Sequence, residues 1–156
     1  MAKERYTVVS ELNTSGTADT STFALGGISA ASRGFEIYEF IAAVKGAQSD
    51  TRHVAEISRT TTTITAGTAI TPEVLYTGGA AATSTWSSAP TGATLAANPM
   101  KRLTFNGRAT VRWAALDPDS RLVVQAGGGT AGTLVVVNRN SAAAAIGTLN
   151  EVSIAE

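Results

Sequence analysis

The chain is 156 residues long, and about half of it is Ala, Thr, Gly or Ser (28, 23, 15 and 13 residues). With no cysteine, one histidine and 12 basic residues against 12 acidic ones, it excludes a disulfide framework and offers no global field to attract nucleic acid or an anionic membrane. The length is that of one ordinary domain able to bury a core without staples, so a single β-sandwich domain over residues 1–156 is expected.

Met1 to Tyr6 is charged and leads into a strand-like run, so no secretory signal is expected. Tyr6-Thr7-Val8-Val9 suits a pleated strand, and the polar stretch from Asn13 to Thr22 reads as loop, so residues 1–22 form an N-terminal strand or arm followed by a loop. Phe35 to Val44 is the longest continuous candidate. Phe35, Ile37 and Ile41 would occupy one face and Tyr38 and Phe40 the other, which predicts a strand buried on both sides. A helix is the rival, and the aromatic and β-branched content between Gly34 and Gly46 favours strand. This stretch carries Glu36 and Glu39 and is far short of the roughly 20 apolar residues of a membrane span. A soluble product is therefore expected, without a membrane partner.

In the next segment, Thr51 to Thr63, His53, Ala55, Ile57 and Arg59 alternate against Val54, Glu56 and Ser58 before a run of threonines. The branched Cβ of threonine favours extended backbone. Residues 66–98 are dominated by small residues and broken by Pro72 and Pro90, and they read as a long surface excursion within the domain, with one or two short strands. Arg108 to Ala114 alternates, with Ala109, Val111 and Trp113 on one face and Arg108, Thr110 and Arg112 on the other. Asp117-Pro118-Asp119-Ser120 supplies turn chemistry, which predicts a hairpin with Arg121 to Gln125. A Gly127–Gly129 loop, a Thr133–Val137 strand and a last strand over Leu149–Ile154 complete the chain. About eight strands at this spacing, with little or no helix, predict a jelly-roll-like antiparallel β-sandwich with long Ala/Thr/Gly-rich loops.

Catalytic chemistry has little to stand on. His53 has no second imidazole or thiol to join it as a ligand, and it reads as an ordinary strand residue. Asp117 and Asp119 alone, with Pro118 between them, are turn residues rather than a calcium loop. No Lys-Ser/Thr follows Gly127–Gly129 at phosphate-loop spacing, and no G-x-S-x-G elbow gives the serines a base. Neither an enzyme nor a cofactor is expected. Arg108 and Arg112 would pair with acids on another subunit or form a solvated strand face. Trp86, in a stretch of small polar residues, is either an interface anchor or a ring folded back over its own sandwich. Tyr6 would belong to a terminal arm that adds a strand to a partner's sheet edge.

Three motifs in succession carry a family resemblance: Phe35-Glu36-Ile37-Tyr38-Glu39-Phe40; Glu56-Ile57-Ser58-Arg59-Thr60-Thr61 opening a Gly67-Thr68-Ala69-Ile70-Thr71-Pro72 segment; and Arg108-Ala109-Thr110-Val111-Arg112-Trp113 before Leu122-Val123-Val124. Together they resemble the small jelly-roll capsid decoration, or cement, proteins of tailed bacteriophages. The resemblance implies a virion protein made in the host bacterial cytoplasm that binds the outer capsid surface as a homotrimer and locks neighbouring major capsid proteins together. A carbohydrate- or receptor-binding module of a tail fibre, or another minor virion part, is the alternative.

Overall fold

The structure is a computed structural model that describes residues 3–13, 21–45, 50–128, 132–140 and 147–156. The chain builds strands β1 (Arg5–Asn13), β2 (Ser21–Ile28), β3 (Phe35–Lys45), β4 (Arg52–Arg59), β5 (Thr68–Ile70), β6 (Glu73–Val74), β7 (Thr85–Ser88), β8 (Lys101–Asn106), β9 (Val111–Ala114), β10 (Leu122–Val124), β11 (Thr133–Asn140) and β12 (Gly147–Ala155). A single 3-10 turn, Pro118–Ser120, is the sole helical element among the described residues.

The strands form two antiparallel sheets. The first runs β10-β3-β12-β1-β6, with β9 also on β3, and the second runs β5-β7-β2-β11-β4-β8. The connectivity is that of a jelly roll: β1 pairs with β12, β2 with β11, β3 with β9 and β10, and β4 with β8. Successive pairs alternate between the sheets, which is how a long folded-over hairpin wraps into a sandwich.

Period-two patterning explains the core. Tyr6 and Val8 from β1, Val152 and Ile154 from β12, Ala55 and Ile57 from β4, and Leu134 and Val136 from β11 all meet between the sheets. In β3 the simple alternation breaks. Ile37 pairs with Ile154 but Glu39 with Ser153, so Tyr38 is an extra residue in a β-bulge. The bulge resets the parity, and Phe35, Ile37, Phe40, Ala42 and Val44 all point inward. The expected split of Phe40 from Phe35 and Ile37, and with it the strand buried on both faces, is corrected accordingly. Ile41 lies on the outer face.

The expected hairpin is corrected too. β9 pairs with Glu39–Ala42 and β10 with Phe35–Ile37, both antiparallel to the same edge of β3, so they are two pieces of one strand. The Asp-Pro-Asp turn therefore bulges outward without reversing the chain.

The excursion over residues 66–98 packs on its own subunit. β6 adds to the edge at β1, and β7 and then β5 extend the edge at β2. Its flanks, tied by bridges Thr60–Leu95 and Thr65–Thr91, lay Ile64, Ala93 and Leu95 over Val135 and Val137 on the outer face of the second sheet.

Candidate interaction surfaces

Two of the four residues expected at an interface are core residues. Tyr6 is buried in β1, a strand flanked by β12 and β6 of its own sheet, so the expected arm is corrected to an internal strand. Its single hydroxyl proton is shared between Glu4 Oε2 at 2.6 Å and the Ala80 carbonyl at 3.0 Å. Burial, and next the hydrogen bond to Glu4, push the phenol pKa upward. Trp86 is on β7 rather than in a loop, and it is only 3 % exposed. Its ring packs on Phe35 at 5.2 Å between centroids and lies against Gly27, where a Cβ would approach the indole to 2.7 Å. Trp86 therefore anchors the excursion to its own core.

Behind Trp86 lies a clasp that the sequence did not reveal. Trp86 Nε1 donates to Ser84 Oγ at 2.9 Å, and the Ser84 hydroxyl donates to the buried Glu156 carboxylate. Glu156 also accepts from the Ser84 amide at 2.9 Å and from the Thr83 amide and hydroxyl, each at 2.7 Å. Burial opposes its ionisation, but the Ser84 and Thr83 donors prevail and hold the carboxyl below its ordinary value. Glu4, whose backbone pairs with that of Glu156, accepts from Tyr6 and from the Ala80 amide, and these bonds lower its pKa also. Two carboxylates at the paired chain ends thus grip residues 80–84. Isolated acids beside small polar residues carry no sequence signal for this.

Arg108 and Arg112 are exposed but do not share a strand face. Arg108 precedes β9, in the turn after β8, and forms an exposed ion pair with Asp50 at 2.9 Å. Arg112 stands on the outer face of the first sheet in an ion pair with Glu39, which also accepts from Ser153 Oγ at 3.4 Å. The four expected residues therefore do not converge on one site.

The two outer faces of the sandwich differ. The second sheet is partly roofed by the flanks of the excursion, whereas no second layer of the described chain covers the first. That open face carries Glu36 between Lys3 and Arg121 (2.9 Å), Arg5 over the Tyr38 ring at 5.6 Å, and Thr7 bonded to Glu151 at 3.1 Å. Among these charges lie Val9 and Val123, both exposed, and Ile41.

Beside the roof, on the second sheet, Glu56 is 2 % exposed and held in two ion pairs. It accepts from Arg102 Nε at 2.6 Å and Arg139 Nε at 3.3 Å. With Arg52, Val54 and Thr104 these residues line a groove of about 410 Å³. His53, on the opposite side of β4, is buried beside Phe105 and contacts Thr51 Oγ1 at 3.1 Å, and burial lowers its pKa. Among the described residues no three His, Asp or Glu side chains gather as metal ligands. No protein-family model matches the chain, and no curated protein is found similar to it.

Proposed function

We propose that this chain is a capsid decoration protein of a tailed bacteriophage, a homotrimer that binds the outer surface of the major capsid protein shell and stabilises the head. The observation that carries the reading is the asymmetry of the sandwich. One outer face is partly roofed by the chain itself, while the other presents paired charges interspersed with Val9, Ile41 and Val123. A sheet face of paired charges with exposed apolar side chains suits docking on another protein by area and a few anchors. The jelly roll and the order of the motifs that resemble the decoration proteins add to it. The tail-fibre alternative is weaker, because sugar sites stack rings and Tyr6, Phe35, Phe40 and Trp86 are all committed to the core.

The experiment is co-sedimentation with undecorated capsids of the virus that encodes the chain, together with light scattering of the free protein. The reading expects a trimer that pellets with capsids and raises their resistance to heat, and a Val9→Arg variant that stays folded but pellets poorly. A monomer that ignores capsids overturns it.

A further inference from the structure

The loop between β9 and β10 is an exposed knob on a rigid base. Leu116 is 97 % exposed, the highest value among the large apolar side chains of the described residues. A bare leucine at that exposure has no role in its own fold. The base is fixed on β3 at both ends: the Ala115 amide donates to the Tyr38 carbonyl at 2.8 Å, and Arg121 Nη1 donates to Glu36 Oε2 at 2.9 Å. Between them Asp117 caps the 3-10 turn by accepting from the Ser120 amide at 2.9 Å, and Pro118 presets the backbone. Such a turn is ordered before any partner arrives, so docking it costs little conformational entropy. Asp117 and Asp119 flank the pyrrolidine, and both are exposed.

The groove on the second sheet has the opposite character. Arg52, Arg102 and Arg139 line it with Val54 and Thr104, and Glu56 is the one acid of that lining among the described residues, whereas the knob carries two exposed aspartates. Arg102 and Arg139 both reach Glu56 through Nε and also line the groove, with side chains 57 % and 37 % exposed.

We infer that the Leu116 knob of one subunit docks in the Arg52–Arg102–Arg139 groove of the next, with Leu116 on Val54 and the aspartates on the arginines. The inference rests on the homotrimer proposed above and names its contact. Knob and groove are different patches on one subunit, so the contact is heterologous, and such contacts close into a ring when the rotation permits. Opposite charges across it fix register and speed encounter.

The cysteine-free sequence makes the test direct. Leu116→Cys and Val54→Cys are introduced together, and each alone, and oxidised protein is run without reductant. The double variant is expected to form a covalent ladder that ends at trimer, and neither single variant is. In parallel, Leu116→Asp is expected to weaken association by at least about tenfold in light scattering, and Asp119→Arg to do likewise, with association recovered when Arg52→Asp is added. A wild-type trimer that is indifferent to Leu116→Asp and gives no 116–54 disulfide overturns the inference while leaving the trimer standing. A wild-type monomer at every concentration overturns both. Leu116 makes no core contact, so an unchanged circular dichroism spectrum separates lost association from lost folding.

Discussion

Single side chains in this protein carry unequal weight, and the heaviest is Trp86. It joins the excursion to Phe35 and ends the hydrogen-bond chain to Glu156. Trp86→Ala is expected to cost about 3–5 kcal/mol in urea unfolding, as large-to-small core changes do. Gly27→Ala, whose new methyl would meet the indole at 2.7 Å, is expected to cost about 1–3 kcal/mol. Asn150 is 0 % exposed, and its amide finds no hydrogen-bond partner among the described residues. Asn150→Leu is therefore expected to leave stability unchanged or raise it by about 1 kcal/mol, since it removes an unpaired buried amide. Acid should act through the buried groups. His53 has a lowered pKa in the fold, so the unfolded chain takes up the proton first and stability falls as pH drops below about 6.5. Glu156 and Glu4 are held below the ordinary glutamate value, so their contribution is intact above roughly pH 4 to 5 and is lost as pH falls through their folded values. Glu156→Gln should flatten the lower limb of the stability–pH curve and leave the His53 limb in place.

At the level of elements, legibility followed pattern length. β1, β4, β11 and β12 have enough β-branched or alternating residues to be read as strands, and in β4 the face with His53, Ala55 and Ile57 is the one that points inward. The sequence of β3 reads as a strand but with the wrong faces, because a bulge such as that at Tyr38 depends on the partner strand and leaves no local mark. β5, β6 and β7 have three, two and four residues, too few for a period to show, and nothing in the local sequence marks Trp86 as a strand residue. The Asp-Pro-Asp motif fixed a turn correctly but not its consequence, since turn chemistry does not say whether the next strand reverses or continues. Of the candidate site, the exposure of Arg108 and Arg112 was legible, while the grip of Glu4 and Glu156 and the groove around Glu56 join residues far apart in sequence. The excursion has a structural duty that follows from its strands. Replacing residues 66–98 by a short glycine linker would bare the edges of β1 and β2, and soluble yield is expected to fall with aggregation on light scattering. In the groove, Arg102→Ala with Arg139→Ala would leave Glu56 buried and unpaired. A loss of about 3 kcal/mol is expected, at the low end for such pairs because both arginines are partly exposed.

For the whole molecule, the jelly roll supplies a wall on which three surfaces have separate roles. The roofed half of the second sheet completes the core; in the proposed reading the groove and knob would join copies in a ring, and the open face of the first sheet would meet the shell. Stabilisation would come from interface area multiplied over many copies, each clamping neighbouring capsid proteins against outward pressure. The measurement that tests this account most directly is cryo-electron microscopy of undecorated capsids incubated with the purified protein. The account predicts three-lobed density on the outside of the shell at three-fold or quasi-three-fold positions, with the β10-β3-β12-β1-β6 sheet facing the capsid. Shells that stay bare at saturating protein would contradict it.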